Sequence, residues 1–350
     1  MTDLVVLRPQ GLYCPAGDFY IDPAKPVPRA VITHAHGDHA RSGSNAYWAA
    51  TPGIPLLRER LGRSAVLNSV AYDARFQLGA AEVSFHSAGH ILGSAQVRIA
   101  CGDEVWVVSG DYKRDADPSC APFEPVPCTT FVTEATFASP VFTWPESSAV
   151  AAEIYAWWQA CKHDGQAAVL YCYALGKAQR ILAELARYCD ETAYVHNAMS
   201  ALIRIYRHAG VRMLPTEAVG NVRKGSSFAG RLILAPPGAS GTPWMQRFVP
   251  YCAGFASGWM QQQGGQRRLR YERGFVLSDH ADWPALLQTI DETGARRVRI
   301  MHGNGDALIA HLRARGIDAA SLGTPASSPG EDPSGAGADP STETQEIETC

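Results

Sequence analysis

The sequence predicts an α/β fold, and two observations support this prediction. Between residues 145 and 256, short apolar runs typical of strands alternate with stretches of helical periodicity, which indicates parallel α/β units. In the rest of the chain, several strand-like runs end directly in a histidine or an acid, as strands do when a site is built at their carboxyl ends. With 350 residues, of which 46% are hydrophobic, the chain is long enough for two domains with buried cores.

Strand and helix predictions follow from the apolar runs and their flanking residues. We expect strands at 4–7, 19–21, 30–32, 82–86, 95–100, 104–108 and 129–133, before the pattern changes near Pro145. Beyond that point we expect helices at 146–161, 177–188 and 199–208, and strands at 167–173, 193–195, 231–235 and 251–256. Strands at 272–277 and 297–301, with a helix at 283–293 between them, complete the prediction.

Composition excludes several classes of protein. The chain has no run of eighteen apolar residues, so we expect no membrane helix and no membrane partner. Its first residues lack a basic segment followed by a long apolar one, so we expect no signal peptide and a cytoplasmic location. The nine cysteines include no Cys-x-x-Cys pair, which argues against a zinc ribbon and against a disulfide framework.

Charge is unevenly distributed, because residues 321–350 contain acids but no Lys or Arg. The six acids are Glu331, Asp332, Asp339, Glu343, Glu346 and Glu348. Without them the formal charge of −3 becomes positive, with 31 basic and 28 acidic residues, which permits a polyanionic substrate. The same segment is rich in Gly, Pro, Ser and Thr and has almost nothing to bury, which predicts a disordered acidic tail.

The densest group of chemically active side chains follows the apolar run 30–32. It consists of His34, His36, Asp38 and His39. His34 and His36 are two residues apart and face the same side of extended backbone, whereas Asp38 and His39 point differently, toward a second metal. A histidine-rich surface loop is the alternative, but a chain with 11 His in 350 residues rarely places three of them beside an Asp by chance. The pattern therefore predicts a two-metal site.

Five further side chains of this kind lie at predicted strand ends: His90, Asp111, Glu134, His280 and His302. We expect them to meet at one edge of a sheet, because sites in open α/β sheets are built there. A buried core histidine is the alternative for His90, but its glycine-flanked loop between two strands favours a ligand.

Asp22, at the end of the predicted strand 19–21, has two interpretations that the pattern leaves open. An acid before Pro23 is common in turns. The same carboxylate is also placed to accept a hydrogen bond from a metal-bound histidine.

Three groups of cations are candidates for contacts with a polyanion. Lys113 follows Asp111 closely, Lys177 lies at the predicted start of a helix, and the run 266–273 carries Arg267, Arg268 and Arg270. A solvated, charged surface is the alternative for Lys113 and for the arginine run. The stretch 175–178 has half of a P-loop pattern but lacks the first glycine and the Ser or Thr after the lysine, so we reject nucleotide binding.

These motifs together resemble the metallo-β-lactamase fold, in particular its β-CASP nuclease branch. The loop from His34 to His39 matches the signature of that fold, and Asp22, His90 and Asp111 match its other conserved elements. The remaining matches are to the three extra elements of the branch. They are Glu134, the stretch 278–280 and the stretch 301–303.

The resemblance implies a domain organisation. Residues 1–144 and 274–320 would form a metallo-β-lactamase αββα sandwich, and residues 145–273 would form an inserted α/β β-CASP cap domain. The acidic tail would follow from residue 321. The cap would form one wall of a groove in which Lys177 and the arginines track a nucleic-acid backbone.

It also implies roles for individual side chains. One divalent metal would be held by His34, His36 and His90, the other by Asp38, His39 and His302, with Asp111 bridging the pair. Zinc suits these ligands best, and manganese fits the same frame. Catalysis would depend on Asp38, on His280 as general acid, and on Glu134 hydrogen-bonded to its other ring nitrogen.

Within the branch, the stretches 109–115 and 131–137 are similar to those of bacterial ligase-associated DNA exonucleases, also described as messenger-RNA 3′-end processing factors. The resemblance implies a phosphodiester hydrolase that acts on DNA in repair, with a DNA ligase and a helicase as functional partners. An RNA-processing nuclease stays open as the alternative, because His302 is typical of RNA-processing members as well. A non-catalytic scaffold is disfavoured by the complete ligand set, and a small-molecule hydrolase by the inserted cap.

Overall fold

A computed structural model describes residues 3–262 and 271–323 of the chain. Arg267, Arg268 and Arg270 lie outside the described residues, as does the predicted tail from residue 324 onward. The described part divides into two compact units, one made of residues 3–143 and 280–323 and one made of residues 144–262 and 271–279. The sequence-based boundaries were 144/145 and 273/274, and the assignment of the parts as sandwich and cap stays a prediction.

The first unit contains a six-stranded sheet at its start. Its strands are β1 (Val6–Arg8), β2 (Gly11–Cys14), β3 (Phe19–Ile21), β4 (Arg29–Val31), β5 (Ala46–Ala50) and β6 (Leu67–Val70), adjacent in that order. The first three pair antiparallel, and β3 to β6 pair parallel. Helix α1 (Ile54–Leu61) follows β5.

A seven-stranded sheet completes the first unit. It contains β7 (Arg75–Leu78), β8 (Ala81–Ser87), β9 (Ala95–Cys101), β10 (Glu104–Val108), β11 (Thr130–Glu134), β18 (Arg297–Met301) and β19 (Asp318–Ser321). The order across the sheet is β19-β18-β11-β10-β9-β8-β7. From β19 to β10 the strands are parallel, and β10, β9, β8 and β7 pair antiparallel.

Alternation along the strands of the second sheet produces two cores. Trp106, Val108 and Val132 point into a core shared with the first sheet, whose members include Ile21 and Val31. Alternate residues of the same strands, among them Val107 and Phe131, pack on the opposite face against apolar side chains of α5 (Trp283–Thr293) and α6 (Asp306–Ala314). Successive side chains of a strand point to opposite faces, so a sheet covered on both sides needs such apolar runs.

The second unit is built on a parallel sheet. Its strands are β12 (Ala167–Tyr171), β13 (Ala193–Val195), β14 (Thr216–Ala218), β15 (Leu232–Ala235), β16 (Tyr251–Ala256) and β17 (Arg273–Phe275), in the order β14-β13-β15-β12-β16-β17. Its helices are α2 (Ser147–His163), α3 (Lys177–Leu185) and α4 (Asn197–His208). The sequence of the fully buried strand β12 is a continuous apolar run, as is typical of parallel strands that are covered on both faces.

The α/β class predicted from the sequence is confirmed, and most predicted elements occur within a few residues of their expected bounds. Eight elements were not predicted: β2, β5, β6, β7, β14, β19, α1 and α6. The predicted tail also began one residue too early, because Ser321 is the last residue of β19. Among the described residues, the longest helix is α2 with 17 residues, and none combines the length and apolar character that a bilayer crossing requires.

We predict that Gly93→Ala strongly destabilises the first unit. Gly93 has φ +77°, and a Cβ there would lie 2.1 Å from the backbone nitrogen of Gly53, so both the conformation and the contact exclude a side chain. The expected loss in free energy of unfolding is roughly 3–4 kcal/mol, measured by urea denaturation. Gly102→Ala is the matched control, because Gly102 has φ +59° but open space around it, and should cost only about 1–2 kcal/mol. Equal losses in the two variants would contradict the close-contact argument.

Candidate metal centre

Strand direction brings most of the predicted side chains to one edge of the seven-stranded sheet. β18, β11 and β10 are parallel neighbours, so His302, Glu134 and Asp111 follow their carboxyl ends at the same edge. β8 is separated from β10 by one antiparallel strand and therefore runs in the same direction, which brings His90 to this edge as well. The loop after β4 joins it through a hydrogen bond from the Ala95 backbone N–H to the Thr33 carbonyl, at 2.8 Å.

Three histidines direct one ring nitrogen each toward a common point. His36 Nδ1 lies 3.1 Å from His34 Nε2 and 3.2 Å from His90 Nε2. Ligands of a tetrahedral zinc at 2.0–2.1 Å are about 3.3–3.4 Å apart, so the observed spacing suits three ligands of one ion. These nitrogens and an Asp111 oxygen all lie within 4.8 Å of one another. The group could hold a metal ion, as the sequence predicted.

Asp111 is shared between two groups of side chains. Its Oδ2 atom is 3.5 Å from His34 Nε2 on one side and 3.5 Å from His39 Nε2 on the other. His39 Nε2 is also 3.6 Å from Asp38 Oδ2. The His302 ring lies next to that of His39, with centroids 5.3 Å apart. All the residues predicted to hold the second ion therefore lie around His39, and the number and identity of the ions stay predictions.

The turn that carries His302 is shaped by its backbone. His302 has φ +54°, a left-handed conformation that is uncommon for a residue other than glycine, and its carbonyl accepts a hydrogen bond from the Ala135 N–H at 2.9 Å. A Cβ on Gly303 would lie 2.3 Å from the Ala135 carbonyl oxygen. The close approach of the turns after β11 and β18 thus requires glycine immediately after the candidate ligand.

Asp22 accepts hydrogen bonds that orient two of the histidines. Its Oδ2 is 2.7 Å from His39 Nδ1 and accepts from the Thr33 hydroxyl at 2.5 Å. Because that hydroxyl donates to Asp22, it is left to accept from Nδ1–H of His34, 3.0 Å away. Both arrangements put the protons on Nδ1 and leave the Nε2 lone pairs for the centre. Of the two interpretations of Asp22, the geometry favours the partner of a candidate ligand over a simple turn acid.

The electrostatics of the centre suit a cation. Burial lowers the pKa of His34 well below its ordinary value, so its ring is neutral and its lone pair is available. Burial also opposes the charged form of His39, but Asp111, Asp38 and Asp22 outweigh it and raise the pKa of His39 well above its usual range. Burial would raise the pKa of Asp111, yet the surrounding histidines, His39 first, lower it well below the normal value. The carboxylates around His39 would attract a divalent ion for the same reason.

His280 and Glu134 form a pair beside this centre. His280 Nδ1 is 2.8 Å from Glu134 Oε2 and 3.9 Å from Asp111 Oδ2. Glu134 is buried and accepts two further hydrogen bonds, from the Tyr112 backbone N–H at 2.8 Å and from the Thr136 hydroxyl at 2.5 Å. The carboxylate is thereby fixed in direction. Asp111, Glu134 and His280 are also close enough to one another to hold a metal ion.

The predicted phosphate contacts on lysines are placed differently from the expectation. Lys113 is buried, and its ammonium donates to Asp115 at 2.6 Å. In the second unit, Lys177 is buried at the start of α3, and its ammonium donates to the buried Asp279 at 2.7 Å. Both ammonium groups are thus buried and already paired with carboxylates. A substrate contact by either lysine stays a prediction.

Two residues near the centre were missed from the sequence. Thr33 aligns two ligands through its hydroxyl, and only its position next to His34 could have indicated that role. Arg60 is exposed on α1, and its Nε donates to the Ala35 carbonyl of the histidine loop at 2.6 Å. Its guanidinium reaches over Gly37, where a Cβ would be 2.8 Å from Nη1. No local pattern links Arg60 to a loop 25 positions earlier.

Comparison with known proteins shows similarity to a named relative and to a solved structure. No known family profile matches this chain. A protein of Opitutus terrae named "Probable DNA ligase" is 28% identical over 321 residues, which cover 89% of this chain but only 30% of that protein. A crystal structure of a protein of unknown function from Enterococcus faecalis is similar with a TM-score of 0.55 and 11% sequence identity, covering 78% of this chain and 75% of that one. At this identity, the second similarity concerns the fold alone.

We predict that Asp22→Asn weakens metal binding at His39. An amide in place of the carboxylate removes the charged acceptor of the Nδ1 proton, and changes of this kind typically cost about 10–100-fold in metal affinity. Zinc affinity would be measured by competition with a chelator of known strength. Asp18→Asn is the matched control, because Asp18 also has a positive φ but pairs with Arg29 at an exposed position. The same affinity in both variants would exclude an orienting role for Asp22.

Proposed function

We propose that this protein is a dinuclear-metal phosphodiesterase, a DNA exonuclease that acts in repair alongside a ligase. One observation carries the proposal: three histidine nitrogens and a shared carboxylate converge beside His280 and its buried, doubly anchored partner Glu134. The relative named as a probable DNA ligase supports a role connected with DNA. The assignment of the fold to the metallo-β-lactamase group, with a β-CASP cap, is part of the same proposal.

We assign the side chains to two ion positions. His34, His36 and His90 would hold one ion, and Asp38, His39 and His302 the other, with Asp111 between them. The histidine nitrogens and carboxylate oxygens suit zinc, and manganese is the second choice. Two such ions would lower the pKa of an attacking water to about 7 and neutralise charge on the phosphoryl oxygens.

His280 is proposed as the general acid for the departing oxygen. Its Nδ1 faces Glu134, so Nε2 is the nitrogen left to hold and deliver a proton. Glu134 accepts from the Tyr112 amide and the Thr136 hydroxyl, so it cannot swing away and it keeps the ring in one orientation. A carboxylate partner also stabilises the protonated imidazole, which is the form that an acid needs before the step.

Arg60 provides a cation at the histidine loop. Its Nε is fixed by the Ala35 carbonyl, and the exposed guanidinium lies over Gly37. A planar guanidinium held in this way suits a phosphate oxygen better than a flexible ammonium does. We propose it as a contact for the phosphodiester backbone, in addition to the arginines at 267, 268 and 270.

The second candidate is an RNA-processing nuclease, because the same centre would cleave either phosphodiester. Purified, metal-loaded protein incubated with end-labelled single-stranded DNA and RNA of one sequence separates the two. Progressive shortening of DNA, lost in Asp38→Ala, is the expected result and would also give the polarity. Cleavage of RNA alone would favour the second candidate. If neither were cut by protein with both ions bound, the nuclease proposal would be wrong.

We predict that His280→Ala keeps its metal but loses turnover by about 10²–10⁴-fold, the usual contribution of a general acid. Bound metal is counted by elemental analysis and turnover is measured on the cleaved substrate. His208→Ala, at an exposed position on α4, is the control and should match the parent in both. A loss of metal in His280→Ala would instead make His280 a ligand, as its proximity to Asp111 allows.

A further inference from the structure

A second group of metal-type side chains lies in the first unit and shares no residue with the centre described above. It consists of Asp73, His86 and Glu124. His86 Nδ1 is 2.9 Å from Asp73 Oδ1 and 3.5 Å from Glu124 Oε1. One ligand atom from each of the three lies within 4.8 Å of the others. These three residues belong to none of the candidate sites predicted from the sequence, and the proposed function assigns them no role.

The backbone places the two acids on either side of His86. Asp73 N–H donates to the carbonyl of Phe85 at 2.8 Å, and Glu124 N–H donates to the carbonyl of Ser87 at 3.1 Å. The acids therefore come from two separate segments that are both hydrogen-bonded to β8, directly before and directly after the histidine. Asp73 has φ +64°, a left-handed conformation that costs energy for a residue other than glycine. The backbone therefore fixes where the two acids approach the histidine.

The contacts of the His86 ring leave its Nδ1 atom available as a metal ligand. Its Nε2 lies 3.0 Å from the hydroxyl of the buried Ser84, which can accept the Nε2 proton and leave a lone pair on Nδ1. Nδ1 is buried and, among the described residues, no group meets it in a hydrogen-bonding direction. Asp73 is only 2.9 Å away but lies off the axis of the lone pair. The ligand atoms of the three residues lie within 4.8 Å of one another, which is close enough for one cation to contact all of them.

We propose that Asp73, His86 and Glu124 bind a single divalent cation of the zinc or manganese class. One imidazole nitrogen and two carboxylate oxygens suit these ions, and the exposed carboxylates leave room for water to complete the coordination. The ion would tie residues 109–129, which contain Asp111 but no helix or strand, to β8 and to the turn at Asp73. It would act as a structural clamp on the segment that supplies the shared carboxylate.

The test counts bound ions without substrate, so its result is independent of the nuclease proposal. Parent protein and His86→Asn are dialysed to equilibrium against buffered Zn²⁺, and separately against Mn²⁺, and the ions per chain are measured by elemental analysis. We expect one ion fewer in His86→Asn and no loss in His163→Asn, an exposed histidine on α2. We also expect His34→Ala to retain the ion held by His86, because the two sites share no residue.

Two further variants test the site in case His86→Asn does not fold. Asp73→Asn, whose new side chain tolerates left-handed backbone, and Glu124→Gln should each weaken binding of this ion at least tenfold. Faster hydrogen exchange of amides in 115–128 should accompany the loss. The proposal is overturned if these variants bind as many ions as the parent, with the same affinity and the same exchange.

Discussion

A buried carboxylate among neutral and charged imidazoles is the interaction on which the site depends. Asp111 is enclosed, and burial alone would favour its protonated form. The surrounding histidines reverse that preference, and the carboxylate in turn raises the pKa of His39. The charged forms of Asp111 and His39 are therefore each stabilised in the buried site by the neighbouring groups. Removing His39 or Asp111 would leave the other with less compensation for its buried charge, so these two residues depend on each other.

The sheets explain how this set is assembled from distant parts of the chain. Parallel pairing of β10, β11 and β18 aligns their carboxyl ends, and the alternation of Trp106 and Val107 between two cores keeps that sheet covered on both faces. Rigid cores on both sides let the turns that follow the strands be strained, as the left-handed His302 is. Strain at a site is maintained by the packing around it.

The sequence predicted much of this because its signals were local. Clustered histidines, acids directly after apolar runs and helical periodicity can all be read from neighbouring residues, and the predicted bounds of β10, β13, β16, β18 and α5 match the structure. The short strands β14 and β19 were missed, since three or four residues of ordinary composition form strands only through their neighbours in the sheet. Lys113 and Lys177 were predicted to contact phosphate, and their burial, which depends on the tertiary fold, left no trace in the local pattern. Thr33 and Arg60 were missed for the same reason, because their contacts span distant parts of the chain or depend on rotamers.

His302 follows the next-to-last described strand, so the candidate centre can be completed only late in translation. Ribosomes add about 5–20 residues per second, so His39 emerges on the order of tens of seconds before the residue that lies beside it in the centre. During that interval β11 lacks its neighbour β18, and this edge of the sheet stays unpaired. A nascent chain thus holds its first histidines long before it can assemble the complete set. Completion of the candidate centre is therefore coupled to completion of the sheet.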